Sequence, residues 1–306
     1  MLLYFAPLEG ITTYTYRNTH NEMFGGCDAY FAPFITPTTN ERLSLKNLRD
    51  IIPEKNTVNL KAQVLVNEAD AFLDFERRIT GIGYDEVNIN LGCPSGTVAK
   101  KKRGVAFLKD TDALDKFLNE IFEKSKLRIS VKSRIGFYSH DEFDEILRVY
   151  NKYPISELII HPRVREDYYS GIPDMKAFSL AYETSPLKLC YNGDVYNRND
   201  FEKIISAYPN LSAVMIGRGA VKNPALFREL KGGACLTTEE IIKFSDTLEE
   251  RYLKVLESEK YTMNKLKEIW LYMMDNYPEE KKIFKAVKKS VTLADLKSAV
   301  YCLPEI

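Results

Sequence analysis

Short apolar, β-prone runs recur from Leu2 to Gly217 with helix-like segments between them, and this alternation constrains the fold more than any other feature of the chain. Eight runs can be named: Leu2 to Ala6, Ala29 to Phe34, Leu60 to Val66, Glu86 to Leu91, Arg128 to Arg134, Glu157 to His161, Leu187 to Tyr191 and Ala213 to Gly217. Leu158-Ile159-Ile160 and Ala213-Val214-Met215-Ile216 are apolar on both faces, as expected of strands covered by helices outside and by a packed interior within. Between the runs, Glu68 to Ile79, Ala113 to Lys124 and Glu142 to Tyr150 place apolar residues three and four apart, which is the helical period. Thr111-Asp112 and His140-Asp141 offer caps or early-turn carboxylates. Alternating strands and helices are the signature of parallel βα units. Eight of them predict an α/β fold, a (β/α)8 TIM barrel of about 250 residues, closing near Ala225 to Leu230.

The pattern changes after Lys231-Gly232-Gly233. Thr237-Thr238-Glu239-Glu240 reads as a helix start, and Ile241, Phe244, Leu248, Tyr252 and Leu256 follow along one stripe. Three further helical segments come after it, separated near Lys260 and Tyr277-Pro278, with no strand-like run among them. The expected organisation is a barrel over residues 1–233 followed by a small all-helical domain over residues 234–306.

A chain of 306 residues can build a full core, since at that size about 75% of the unfolded surface is buried. Lys plus Arg and Asp plus Glu number 43 each, so no long-range field announces a polyanionic partner, and any nucleic-acid contact must come from local patches. Two such patches exist. Lys281, Lys282, Lys285, Lys288 and Lys289 cluster around Ile283, Phe284, Ala286 and Val287, and Lys100-Lys101-Lys102-Arg103 forms a second run. The first reads equally as a solvated face or as a phosphate contact. Cys27, Cys93, Cys190, Cys235 and Cys302 are widely spaced and include no CxxC pair, which fits a reducing, cytoplasmic setting without disulfides or a zinc cage. With only His20, His140 and His161 in the chain, no multi-histidine metal site is expected. Leu2-Leu3-Tyr4-Phe5-Ala6 is too short for a membrane span and reads as a buried strand.

In a barrel of this kind functional residues gather where strands end. Here the strand ends carry Pro7-Leu8-Glu9-Gly10, Gln63, Asn90 with Cys93, Lys132 with Arg134, His161-Pro162-Arg163, Asn192-Gly193-Asp194 and Gly217-Arg218-Gly219. Val87, Ile89 and Leu91 alternate with Asn88 and Asn90, and Gly92 and Pro94 then end regular structure on either side of Cys93. A free cysteine is often a small buried hydrophobe. One on a Gly/Pro-punctuated loop at a strand end is poorly placed for that, and a thiol of intrinsic pKa about 8.5 suits proton donation at neutral pH. Lys132 lies mid-strand among Ile129, Val131 and Ile135; pointing inward, it requires an anionic or electron-rich partner, and pointing outward it would snorkel. We favour the inward orientation. His161 is either a hydrogen-bonded structural imidazole or a donor to a ligand carbonyl. Gly217-Arg218-Gly219-Ala220 opens towards a helix near Asn223-Pro224, where this fold often holds a phosphate.

These residues resemble the flavin-dependent tRNA-dihydrouridine synthases. The likeness runs from Ala6 to about Arg228 through Ala-Pro-Leu-Glu-Gly-Ile-Thr at 6–12, Asn-Leu-Gly-Cys-Pro at 90–94, Val-Lys-Ser-Arg at 131–134, His-Pro-Arg at 161–163, Asn-Gly-Asp at 192–194 and Ile-Gly-Arg-Gly at 216–219. The resemblance implies that Pro7, Leu8, Gln63, Lys132, His161, Asn192, Gly193, Asp194, Gly217 and Arg218 hold FMN, with its phosphate near Gly217 and Arg218. By the same resemblance Asn90 contacts the uracil, Arg134 and Arg163 face the substrate, and Cys93 is the general acid. The implied reaction reduces the carbon 5 to carbon 6 double bond of a uridine in tRNA. NADPH or NADH first reduces the flavin, whose nitrogen 5 delivers hydride to carbon 6 while Cys93 protonates carbon 5 from the opposite face. The base must leave its stack for this chemistry. The helical tail then resembles a tRNA-recognition domain, and the protein is expected to act as a monomer, away from membranes. Two departures stand out: Pro162 replaces a usual glycine after the strand-six histidine, and Lys100 to Arg103 is more basic than the family pattern. Both lie in substrate-facing loops. The competing reading is a flavin barrel enzyme reducing a free pyrimidine or another small enone; a noncatalytic RNA-binding barrel is a third.

Overall fold

The computed structural model describes residues 1–37 and 48–306. Nine parallel strands are β1 (Leu2–Phe5), β2 (Ala29–Phe31), β3 (Leu60–Lys61), β4 (Gln63–Val64), β5 (Glu86–Leu91), β6 (Arg128–Gly136), β7 (Leu158–Val164), β8 (Leu189–Asn192) and β9 (Ala213–Ile216). Their order is β3-β2-β1-β9-β8-β7-β6-β5-β4. The two ends of that order are neighbours in the chain, joined through Ala62, whose carbonyl accepts from Asn88 N at 2.9 Å. β3 and β4 are therefore two halves of one interrupted stave, and the sheet returns on itself as an eight-stave barrel.

Period-two alternation sorts the residues of each strand. Tyr4, Ala6, Ala29, Phe31, Ile159, Cys190, Ala213 and Met215 form one buried cluster inside the barrel. Their neighbours Leu3, Phe5, Tyr30, Leu158, Ile160, Tyr191, Val214 and Ile216 belong to the outer core under the helices. This two-sided burial is why the strands read as unbroken apolar runs.

The helices between strands are α1 (Tyr14–Met23), α2 (Ala69–Thr80), α3 (Gly96–Lys100), α4 (Thr111–Lys124), α5 (Phe143–Tyr150), α6 (Met175–Thr184), α7 (Arg198–Ala207), α8 (Arg218–Lys222) and α9 (Leu226–Leu230). Two starts differ from the sequence expectation. α4 is capped by Asp110, which accepts from Ala113 N at 2.9 Å, one residue before Thr111. The segment leading into α5 uses a capping box of Ser139 and Glu142 around His140-Asp141. In both cases the better acceptor lies just outside the apolar period, where a cap satisfies orphan N–H groups.

Four helices follow the barrel: α10 (Thr238–Leu256), α11 (Glu259–Met273), α12 (Lys281–Lys289) and α13 (Leu293–Val300). The expected start is a Thr237–Glu240 capping box, and α10 ends at Glu257, whose φ of 50° breaks the helix before Ser258 caps the next. Phe244 on the α10 stripe packs edge-on against Tyr16 and Phe24, with ring centroids 5.5 and 5.2 Å apart. Arg251 donates to Thr19 and to Glu22 of α1. The tail is thus seated on α1, and truncating Phe244 to Ala would cost about 3–5 kcal/mol. Among the described residues no helix is long and apolar enough to cross a membrane.

Candidate active site

The alternation that packs the barrel interior also sets its mouth. Ala6, Gln63, Asn90, Lys132, His161, Asn192 and Gly217 all fall on inward positions, and pairing brings them to similar heights: Asn90 opposes Lys132, and Arg134 opposes His161. They open into a cavity of about 300 Å³. Pro7, Leu8, Cys93, Arg134, Gly193, Asp194 and Arg218 join them in its lining.

One wall is built on β5. Asn90 Oδ1 accepts from the backbone N–H groups of Gly92 and Cys93, both at 3.0 Å, while Asn90 Nδ2 donates to Gln63 Oε1 at 2.8 Å. Gln63 in turn donates to Asn88, and Asn88 to Ser130, so a polar chain inside the barrel fixes the amide orientations. Asn90 therefore shapes the turn that presents Cys93. Gly104 closes on the same turn with φ +60°, and a Cβ there would lie 2.8 Å from Cys93 O. Only glycine accepts both conditions, which accounts for the glycine after the Lys100 to Arg103 run.

Beside it, on the next strands, stands a wall of cations. Lys132, Arg134 and Arg218 line it with His161 among them, and Asp194 is its single carboxylate anchor, accepting from Arg163 at 2.5 and 3.2 Å and from Arg218 at 2.6 Å. Asn192 Nδ2 donates to Met215 O, which leaves its carbonyl oxygen for the cavity. Three guanidiniums also hold the loop after β7: Arg134 donates to Tyr168 O, Arg218 to Tyr169 O and Arg163 to Gly171 O. The Tyr169 ring is seated between Arg134 and Arg218, 5.3 and 5.1 Å from their guanidinium carbons.

Burial shifts the ionisation of each key group. It pushes the Cys93 thiol up, more than Lys132, Arg134 and a Ser95 backbone contact pull it down, so the thiol is neutral at physiological pH. It lowers Lys132 to about 8, with help from Arg134. It also holds His161 well below the usual imidazole range, reinforced by Arg134, Lys132, Arg163 and Arg218. Burial works against ionisation of Asp194 and is outweighed by Arg163, Arg218 and the Tyr196 hydroxyl, leaving its carboxyl below the usual range. A wall with several cations, its one carboxylate already paired with arginines, and fixed neutral donors fits a ligand carrying a phosphate and a polar, electron-rich ring. No group of three or more His, Cys, Asp or Glu among the described residues could hold a metal.

Arg163 departs from expectation. Its side chain is buried and lies outside the cavity lining, behind His161 and Asp194, because its donors are committed to Gly171 O, Asp194 and His161. Arg134 reaches the cavity, but its donors go to Gly92 O, Val164 O and Tyr168 O. The helix expected near Asn223-Pro224 is α9, and a shorter one precedes it: α8 begins at Arg218, with Gly217 at its cap. Pro162 sits within β7, and its carbonyl accepts from Asp174 N at 2.7 Å.

Sequence reasoning missed Tyr169 and Tyr196 on the rim, and Glu268 and Tyr272 of α11, which also line the cavity. Glu268 and Tyr272 are four residues apart and so share a helix face. Lys265, one turn before, donates to Gly10 O and lies 3.8 Å from Glu268, tying α11 to the loop after β1.

Comparison with known proteins bears on the fold and the family. A solved structure of a variant of NCR from Zymomonas mobilis superposes with a TM-score of 0.52 at 12% identity, covering 76% of this chain and 87% of that one, a likeness of fold alone. A tRNA-dihydrouridine(16) synthase of Neisseria meningitidis is 26% identical over 283 residues, spanning 88% of this chain and 84% of the relative. A probable tRNA-dihydrouridine synthase of Staphylococcus aureus is 26% identical over 262 residues, 81% of this chain and 77% of the relative. The family model described as dihydrouridine synthase (Dus) matches residues 4–300, barrel and tail together. The chain belongs to the dihydrouridine synthase family.

Proposed function

We propose that this protein reduces uridine in tRNA to 5,6-dihydrouridine, with FMN as its resident flavin and NADPH, or NADH, as reductant. The observation that carries this reading is the pairing, in one cavity, of a neutral Cys93 on an Asn90-shaped turn with an adjoining wall of cations.

Gly217 and Arg218 would hold the flavin phosphate. Lys132, His161, Gln63 and the Asn192 carbonyl would meet the polar edge of its ring, and Pro7, Leu8, Gly193 and Asp194 would complete the cradle. The bound flavin supplies the hydride for carbon 6 of the base. Cys93 keeps its proton on Sγ until carbon 5 needs it, since burial raises the thiol's pKa and a neutral thiol is the form that donates. Asn90 spends its carbonyl oxygen on the Cys93 turn and one N–H on Gln63, so its second N–H remains for the uracil. The base must be extruded to reach this depth, and Tyr169, Tyr196 and Tyr272 give the mouth aromatic faces on which bases stack.

In this reading residues 1–233 carry the chemistry and residues 234–306 recognise tRNA, the protein working as a cytosolic monomer. The lysines of α12 are exposed, which supports phosphate contact by that helix; tRNA affinity should then fall steeply with salt. Incubating the protein with FMN, NADPH and tRNA from cells devoid of dihydrouridine tests the proposal by mass spectrometry. The expected product is tRNA with two added hydrogens at a defined uridine, and no reduction of free uridine or uracil. Turnover of the free pyrimidines with untouched tRNA would favour the small-molecule reductase instead.

A further inference from the structure

His161 and Arg163 occupy successive positions on the same face of β7, separated by Pro162, whose ring fixes φ between them. Arg163 Nη1 lies 3.0 Å from His161 Nε2. A guanidinium has donors and no acceptor, so Nε2 must offer its lone pair, and the ring's proton resides on Nδ1. The opposite tautomer would set N–H against N–H.

Arg163 has no freedom to turn away. Its Nε donates to Gly171 O at 2.6 Å, and two of its N–H groups go to Asp194 at 2.5 and 3.2 Å. The imidazolium form is excluded by the company the ring keeps. Lys132 and Arg134 face it from β6, Arg163 from β7 and Arg218 from α8, while the Tyr169 ring stacks beside it with centroids 6.3 Å apart. The nearby carboxylate, Asp194, is already engaged by Arg163 and Arg218. A fifth positive charge has nothing to meet.

We propose that Arg163 is a positioning residue that locks His161 as the neutral tautomer protonated on Nδ1, so that the cavity receives a donor of fixed polarity through the physiological pH range. The lock rests on the Arg163 contact at Nε2 and the cations around the ring. Its benefit to a flavin carbonyl or ring nitrogen rests on the function proposed above. Arg163, which the motif suggested as a substrate contact, thus acts on the ligand through His161.

Nitrogen-15 NMR of the imidazole rings reads this directly, with His161 assigned by His161→Gln among the three histidines. In the wild-type protein Nε2 should be bare and Nδ1 protonated, unchanged between about pH 5.5 and 7.5, the window around an ordinary imidazole pKa of about 6.5. Protonated Nε2, or a ring that titrates in that window, overturns the proposal even if Arg163 variants fail to fold. In Arg163→Met the ring should exchange tautomers or gain a proton as the pH falls. A ring that stays locked without Arg163 also overturns it. The signals do not depend on flavin: a locked ring in a protein that never binds FMN would sink the proposed function and leave the lock standing.

Discussion

The two walls of the cavity are built by one barrel and differ in charge. The wall from β6 to α8 gathers Lys132, Arg134 and Arg218 around a neutral His161, with Arg163 behind and Asp194 as the counter-charge. The wall from the β1 loop, the β5 loop and α11 presents Glu9, Asn90, Cys93, Glu268 and Tyr272, and no cation among these. Burial raises the Cys93 thiol, and burial with Asp50 raises the Glu9 carboxyl against the pull of Lys265. The first wall suits a permanent anionic guest. The second keeps the proton on Cys93 and suits delivering it. Lys132 and Arg134 pull the thiol towards the thiolate, and burial outweighs them, which preserves the donor.

Replacing residues on one wall should leave the other's task intact. Cys93→Ala carries the largest expected effect: turnover on tRNA falls by about 10²–10⁴-fold, the usual worth of a positioned general acid, while bound flavin per protein stays the same. Equal loss of flavin would merge the two walls into one function.

Lys132→Met comes next, in the opposite sense. Removing a charge-assisted hydrogen bond worth about 1.5–3 kcal/mol should weaken flavin binding by roughly 10–150-fold. The wild type should show the same dependence through pH. With its pKa lowered to about 8, Lys132 is charged below that point and loses its proton above it. Flavin titrations should therefore weaken as the pH climbs past about 8, and in Lys132→Met that slope should vanish. The unliganded protein behaves inversely: its unfolded chain binds the extra proton between about 8 and the ordinary lysine value of 10.5, so stability rises with pH across that interval.

Glu268→Gln is the gentlest probe. It keeps the shape of α11 at the mouth and removes one charge, so kcat/KM for tRNA should change by about 2–10-fold, on the scale of a single hydrogen bond, with flavin titrations superimposable on the wild type. A flavin defect in this variant would place Glu268 on the cofactor's side.

Much of this architecture is written in local patterns. The strands are visible because both faces of each are buried, and the crown is visible because strand ends in a parallel barrel converge. Period two even orients Lys132: Ile129, Val131 and Ile135 belong to the outer core, so Lys132 must face in. What stays hidden depends on long-range docking. Arg163 has the inward parity of a cavity residue, yet the loop after β7 and Asp194 fold over it, and nothing in its neighbours announces that. α11 buries Thr262, Met263, Leu266, Ile269, Trp270 and Met273. That stripe foretells a packed face, while the position of Glu268 and Tyr272 over the cavity depends on where α10 seats the tail against α1. The basic α12 helix is legible as a charge run and remains a proposal as a tRNA contact.

Separating the two half-reactions in Cys93→Ala tests the division between the walls most directly. Flavin reduction by NADPH is followed first without tRNA, and oxidation of the reduced protein by dihydrouridine-free tRNA is followed second. The expected result is a reductive rate equal to wild type with an oxidative rate lower by about 10²-fold or more. Equal slowing of both steps, or an unimpaired oxidative step, would contradict the assignment of Cys93 as the proton donor facing a separately held flavin.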